Sequence, residues 1–319
     1  MKRHVLLALC ALLCASTAHA EDYPAKSIRL IVPFAAGGAV GAVARVLSAP
    51  LTTSLGQAIV IDNRGGAGGI IGMDAVAKAP ADGYTLLLAH SGLTYMPGLY
   101  RKLPFDPVKD FDGIITAVAG SYILAVNSDS PFKSVADLIA HAKANPGKVT
   151  YASAGAGSTL HLAAEFFKRS AGIDILHVPY KGAAQATTDL VGGQVQMMFG
   201  PTVAILPLAQ AGKLRALAVT SLKRSKLAPE LPTMVESGVP GFEISGWYGL
   251  AAPAGTPKPI IAKLNADTNR ALQSPDLIEQ FRIQGYETLG GTPDDMNALI
   301  RADVARWTQI IRDAGIEPQ

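Results

Sequence analysis

Cysteine is confined to the first fourteen residues of the chain, where Cys10 and Cys14 are the only two. Everything after them must hold by core packing, with no disulfide and no reactive thiol. Leu9 and Leu13 stand directly before the cysteines, where lipid attachment would need a small residue. Long apolar runs are also missing. No segment reaches the roughly 20 uniformly apolar residues that a membrane-spanning helix requires. No basic run, internal repeat or low-complexity linker occurs, and 28 Lys plus Arg stand against 25 Asp plus Glu. That balance argues against nucleic-acid and membrane-surface partners and leaves specific polar geometry to choose the ligand.

What is present begins with an export signal. Lys2 and Arg3 precede an apolar stretch over 5–13, and Ala18-His19-Ala20 provides a small-residue exit, so cleavage is expected after Ala20. Losing Lys2 and Arg3 takes the basic count from 28 to 26 against 25 acidic side chains. The processed chain, 21–319, is long enough for two domains. Strand-like runs at 27–33, 58–63, 85–89, 121–126, 149–152, 176–178, 195–199 and 214–220 alternate with helical periodicity. The helices are expected at 40–55, 69–78, 134–144, 159–171, 185–191, 203–211, 260–273, 275–284 and 293–314. In the last, Met296, Leu299, Ile300, Val304 and Trp307 recur at helical spacing. This alternation predicts an α/β fold built from parallel βαβ units. Composition shifts near Gly120 and Pro240-Gly241 divide it into one lobe of 21–120 plus 241–319 and a second of 121–240. Two crossings of that kind leave a cleft in which strand ends and helix starts face one ligand.

Several segments are placed to line such a cleft. Phe34, Ala35, Ala36, Gly37, Gly38 and Ala39 join the first strand to the first helix, where backbone amides and the helix dipole suit a carboxylate. A tight turn using glycine torsions explains the same residues without a ligand. The stretch Tyr151-Ala152-Ser153-Ala154-Gly155-Ala156-Gly157-Ser158 repeats the arrangement, with Gly157 or Ser158 capping the helix that carries His161. A plain capped turn is the alternative there. His177-Val178-Pro179-Tyr180-Lys181-Gly182 offers amides, a phenol and an ammonium at another strand end, and 62–69 is read as a glycine-rich turn beside the cleft. Ser91, Thr202, Trp247 and Tyr248 are candidates for the rest of the ligand. Their plain alternatives are a turn, a helix cap, and core or hinge packing. Neither nucleotide-binding glycine motif is present. His90, His141, His161 and His177 have no metal-ligand spacing, so neither metal nor cofactor is expected. No Gly-x-Ser-x-Gly elbow occurs, which leaves an exported serine hydrolase using Ser158 or Ser91 with His161 or His90 as the alternative to a binding protein.

Along its processed length the sequence resembles the Bug family of periplasmic solute-binding receptors of tripartite tricarboxylate transporters. The resemblance rests on Tyr23-Pro24, Ile28-Arg29-Leu30-Ile31-Val32-Pro33-Phe34, Gly37-Gly38, Ala44-Arg45, Asn63-Arg64 with Gly68-Gly69, Asp82-Gly83-Tyr84-Thr85-Leu86-Leu87 and Leu103-Pro104-Phe105-Asp106-Pro107. It continues through Tyr151-Ala152-Ser153, His161-Leu162-Ala163, His177-Val178-Pro179-Tyr180-Lys181-Gly182, Gly192-Gly193-Gln194-Val195 and Ala251, Pro253, Gly255-Thr256-Pro257. It implies a two-lobe, periplasmic-binding-protein-like fold of the type II or Venus-flytrap kind. It also implies a carboxylate held by amides of the 34–39 and 178–182 loops, partly through water. Expected partners are inner-membrane transporter subunits or a sensor, and the receptor is expected to be a monomer that does no chemistry. Two departures stand out. The family often carries aspartate where this chain has Gly41, and an acidic residue where it has Gln196. Without an aspartate to receive a ligand ammonium, the expected ligand is a dicarboxylate or aromatic acid lacking an amino group.

Overall fold

The computed structural model describes residues 23–34, 36, 39–155, 158–180, 182–313 and 315–318. The expected export signal lies outside them. The chain runs β1 (Ile28–Val32), α1 (Ala39–Leu55), β2 (Ile59–Asn63), α2 (Ile70–Ala77), β3 (Thr85–His90), α3 (Gly92–Leu99) and β4 (Phe111–Asn127). It continues with α4 (Val135–Ala144), β5 (Thr150–Ser153), α5 (Thr159–Ala171), β6 (Leu176–Pro179), α6 (Ala183–Val191), β7 (Met197–Pro201), α7 (Thr202–Gln210) and β8 (Leu214–Val219). The last elements are β9 (Ser245–Pro253), α8 (Lys258–Leu272), α9 (Pro275–Ile283), β10 (Glu287–Thr288) and α10 (Pro293–Asp313).

Local sequence explains most of these boundaries. β1 reads Ile-Arg-Leu-Ile-Val with four of five residues buried, the near-continuous apolar run of a strand covered on both faces. The Ser134 side chain accepts from Asp137 N at the start of α4, and Ser158 accepts from His161 N at the start of α5. Gly172 ends α5 at φ 61°, a left-handed cap that a Cβ would disfavour.

The strands lie in the order β2-β1-β3-β9-β4-β7-β5-β6, with β8 and β10 also paired to β4. β1 runs parallel to β2 and β3, and β5 parallel to β6 and β7. The 17-residue β4 joins the two sets. It pairs antiparallel with β9 from Phe111 to Ser121, then with β7 from Tyr122 onward and with β8 from Ile123. Each set is packed on both faces, giving two lobes with their own cores. Ile28, Leu30, Val32, Leu86 and Leu88 face α1, α8 and α9, while Ile31, Leu87 and Ala89 face the other side with Met296 and Ile300 of α10. The same helix ends in the second lobe's core, where Trp307, Ile310 and Ile311 pack with Phe167, Phe199 and Phe242.

Three features depart from the expected run of parallel units. The central strands β9 and β4 are antiparallel to their neighbours, and the strand foreseen at 121–126 starts ten residues earlier. β9 and the first half of β4 hide their alternation behind Gly246, Gly249, Ala251, Ala252, Gly113 and Gly120. These small residues are needed for packing: a Cβ at Gly249 would stand 2.3 Å from the Ile115 carbonyl oxygen. α3 contains Pro97 and Gly98, which read as breakers, yet Gly98 lets α10 approach so closely that a Cβ there would lie 2.7 Å from Ile311 Cδ1. Tertiary packing outweighs local propensity in each case.

Candidate functional site

The first lobe presents the C-terminal ends of β1 and β3. Their register, Ile31 beside Leu87, brings Phe34 level with His90, and the two rings meet edge-on at 5.0 Å. Arg64 N donates to Val32 O at 2.8 Å and Asn63 Nδ2 donates to Phe34 O at 3.0 Å, which fixes the chain as it leaves β1. Gly72 of α2 packs against the same turn, since a Cβ there would stand 2.7 Å from Pro33 Cα. Ala36 is exposed, and the backbone of Ala39 opens the 17-residue α1 with no acidic residue in its first turn. Ala35, Gly37 and Gly38 lie outside the described residues.

Beside this turn, Ser91 is buried and its amide donates to Trp247 O at 3.0 Å. The Tyr95 hydroxyl lies close to the side chains of Ser91 and Thr159 without a well-aligned hydrogen bond to either, and burial pushes its pKa up to about 12. Thr159 opens α5 in the second lobe and also lies beside the Tyr122 hydroxyl, whose pKa burial raises further. The starts of α3 and α5 therefore face each other across the lobes.

The second lobe builds its side from a self-bonded loop. Ser153 Oγ accepts from Gly155 N at 3.1 Å and lies 2.7 Å from His177 Nε2, and Ser153 O accepts from Tyr180 N at 3.1 Å. Gly155 adopts φ 116°, and its carbonyl accepts from Ser158 Oγ at 2.7 Å. Behind the loop, His177 stacks on His161 at 4.1 Å and on Tyr151 at 4.8 Å, while Tyr151 Oη donates to Glu165 at 2.5 Å. Burial, the largest cause, pushes both histidines down to about 4, aided by Lys168 at His161 and by His161 at His177. Both stay neutral near pH 7. Val178, Tyr180 and Gly182 are half-buried at the end of β6 and the start of α6. Gly157 and Lys181 lie outside the described residues.

Thr202 sits where the lobes join. Its hydroxyl donates to Ser121 O at 2.7 Å, and it lines a cavity of about 210 Å³ with Tyr122, Gly246, Tyr248 and Tyr286. The Tyr248 and Tyr286 hydroxyls are 3.4 Å apart. Trp247, expected as a possible lining residue, is in the core instead: alternation turns it to the opposite face from Tyr248, where its indole donates to Asp303 at 3.0 Å. Other contacts cross between lobes. Glu287 accepts from Ser225 Oγ and Lys226 N, each at 3.0 Å, Arg169 of α5 pairs with Asp313 of α10, and Gly285 abuts Val203.

Two of the groups foreseen for a hydrolase are engaged elsewhere. Ser158 spends its hydroxyl on the Gly155 carbonyl and on capping α5, and His90 Nδ1 is occupied by Gly92 N at 3.0 Å. Ser153 and His177, which no sequence motif singled out as a pair, do meet, but Ser153 is fully buried and bonded within its own loop. What the geometry offers is a set of helix starts. α1, α5, α6 and α7 begin beside these loops without an acidic residue in the first turn, as do α2, α3 and α8 elsewhere in the chain, whereas α4, α9 and α10 carry Asp137, Asp276, and Asp294 with Asp295. Helix starts attract negative charge, so four without a carboxylate of their own can receive one from outside.

Comparison with known proteins places the chain in a family. The model of the family described as "Tripartite tricarboxylate transporter family receptor" matches residues 43–316. Protein BugT of Bordetella pertussis is 41% identical over 94% of this chain and 93% of its own length. A protein from the tcbD-tcbE intergenic region of Pseudomonas sp. strain P51 is 40% identical over 97% of this chain and 94% of its own. Among solved structures, R. palustris Rpa4515 with adipate is 40% identical, covers 93% of this chain and 100% of that one, and superposes with a TM-score of 0.78. MatC from Rhodopseudomonas palustris with bound malate is 32% identical with a TM-score of 0.74, covering 91% of this chain and 100% of that one.

Proposed function

Because the chain belongs to the tripartite tricarboxylate transporter receptor family, whose members are solute-binding receptors, we propose that it captures a small carboxylate without an amino group, a dicarboxylate or an aromatic acid, in the periplasm. It then delivers the ligand to the membrane subunits of a transporter, or to a sensor. What supports this reading is that the starts of α1, α5, α6 and α7, which follow the strand-end residues Phe34, Ser153, Tyr180 and Pro201, hold no acidic side chain of their own. Relatives solved with adipate and with malate support the ligand class.

In this reading the lobes are 21–120 plus 241–319 and 121–240, closing about β4 and β9. Amides of Phe34 to Ala39 hold the carboxylate from one side. The Ser153 to Ser158 loop, Val178, Tyr180, Lys181 and Gly182 hold it from the other, with Ser91 and Thr202 toward the hinge. Ser153 acts through the backbone it organises, its own hydroxyl being committed to His177 and Gly155. A ligand favours closure only through contacts it makes with both lobes at once. Gly41 sets the preference. A Cβ there would meet only Arg45 Nη1 at 3.5 Å and Asn63 Nδ2 at 3.9 Å, so there is room for an aspartate. Its absence leaves Arg45 and Asn63 donors at this position and no carboxylate there to receive a ligand ammonium.

A thermal-shift screen of the processed protein, unfolded and refolded to remove carried ligand, tests this. Dicarboxylates, tricarboxylates, aromatic acids, acidic amino acids and a neutral ester form the panel. A ligand at about a hundred times its dissociation constant adds roughly 2.7 kcal/mol of stability, several degrees of Tm. Stabilisation by amine-free acids is expected. Turnover of the ester with no stabilisation by any acid would transfer the case to a hydrolase.

A further inference from the structure

His90 carries a hydrogen-bond donor with no acceptor among the described residues. The imidazole closes β3 and is held from several sides. Gly92 N–H donates to Nδ1 at 3.0 Å, Phe34 meets the ring edge-on at 5.0 Å, and Gly92 leaves it room, because a Cβ there would stand 2.2 Å from Cε1. With Nδ1 accepting, the proton of the neutral ring sits on Nε2. Nε2 is shielded from solvent and has no hydrogen-bond partner among the described residues, although part of the ring is exposed. A fixed, buried donor left unpaired is a rare arrangement that asks for an acceptor from outside the chain.

Its place in the sheet says where that acceptor would come from. Leu86 and Leu88 of β3 face the core beneath α1, and His90 continues their row. Tyr248, its cross-strand neighbour, packs against the same core. The imidazole therefore lies on the α1 side of the sheet, beside Phe34 and the turn that opens α1. We propose that His90 is a specificity-determining residue of the carboxylate site, resting on the function proposed above, and that its Nε2–H donates to a ligand oxygen at the start of α1. A ring whose Nδ1 is already taken offers the ligand a donor and no acceptor. It recognises carboxylate or hydroxyl oxygen and turns away an ammonium, reinforcing what Gly41 does by omission. Burial holds the ring's pKa down to about 4, so the donor is neutral and present throughout the physiological range.

The test is calorimetric titration of the processed protein and its His90→Phe and His90→Gln variants with adipate and with malate. NMR titration of the His90 ring with and without the diacid accompanies it. His90→Phe is expected to weaken binding roughly 10- to 100-fold, the effect of losing one hydrogen bond to a charged group. His90→Gln, which keeps a donor, should recover most of that loss. In the wild type, saturating diacid should raise the His90 pKa, because a carboxylate against Nε2 favours the imidazolium, and a merely structural histidine would not move. If the Phe variant does not fold, that titration decides alone. Binding by His90→Phe as tight as by the wild type, or a His90 pKa unchanged at saturation, overturns the assignment while leaving the receptor reading intact. If the wild type binds neither diacid, the same titrations are made with the amine-free acid that stabilises the protein in the thermal-shift screen, and absence of binding by every amine-free acid overturns the ligand class and this assignment with it.

Discussion

Replacing Gly285 with alanine tests whether the two lobes touch as part of ligand capture. Gly285 follows α9 in the first lobe at φ 79°, and an added Cβ would stand 2.9 Å from Val203 Cβ and 3.3 Å from Val203 N, at the start of α7 in the second. Two effects follow and they separate. The left-handed backbone costs alanine roughly 1–2 kcal/mol whether the lobes are open or closed, so it lowers Tm without changing the closure equilibrium. The collision with Val203 exists only when the lobes meet, and overpacking of this kind costs roughly 1–3 kcal/mol. Charged to the closed state alone, it weakens apparent ligand affinity about 5- to 150-fold. Calorimetric titration with the best diacid of the screen, run beside thermal melting, reads the two effects apart. In the Val203→Gly background, Gly285→Ala should no longer lower affinity while still lowering Tm. Gly285→Ala with a lower Tm and unchanged affinity would refute the idea that this contact belongs to the closed, ligand-holding state.

Gly41→Asp should place a carboxylate near Arg45 and lower affinity for diacids by roughly tenfold, about the worth of one unfavourable charge contact near a helix start. The same variant should gain measurable binding of aspartate, read by titration. Stability should fall on acidification through a definite window. His90, His161 and His177 are pushed down to about 4 against 6.5 in the unfolded chain, so the unfolded state takes up protons first. Their contribution is fully present above pH 6.5 and is lost as pH falls toward 4; Tm measured across that range should decline, and a flat profile would contradict the burial of these rings. Asp303→Ala removes the acceptor of the Trp247 indole at 3.0 Å and the partner of Arg306 at 2.7 Å. Leaving the buried indole N–H unpaired should cost about 1–3 kcal/mol, visible in denaturant unfolding, with little change in ligand affinity because Trp247 lies away from the cleft.

The parts of the fold legible in the sequence are those where one physical signal acts alone. The helix at 159–171 is marked at both ends by Ser158 and Gly172, and its limits agree residue for residue with α5. The long last helix is marked by its apolar row from Met296 to Trp307. β9 and the start of β4 were hidden because close backbone approach requires glycine and alanine there, and these residues carry no strand signal. α3 was hidden because Gly98 serves Ile311, a residue more than two hundred positions away. At the site, the turn at the end of β1 and the capped start of α5 could be read from strand, glycine and serine in succession. The meeting of Ser153 with His177, the hydroxyls of Tyr95 and Tyr122 beside Thr159, and the unpaired nitrogen of His90 depend on strand register between distant segments. His90 had one sequence signal, its position at the end of a strand next to Ser91, but nothing in one dimension shows that Gly92 takes up Nδ1.

The most direct measurement is calorimetric titration of refolded, ligand-free protein with malate and adipate on one side and aspartate and glutamate on the other. With the aromatic acids of the screen added to the first group, the account predicts saturable binding of at least one amine-free acid and none of either amino acid. Tight binding of aspartate or glutamate with no binding of the amine-free acids would contradict it.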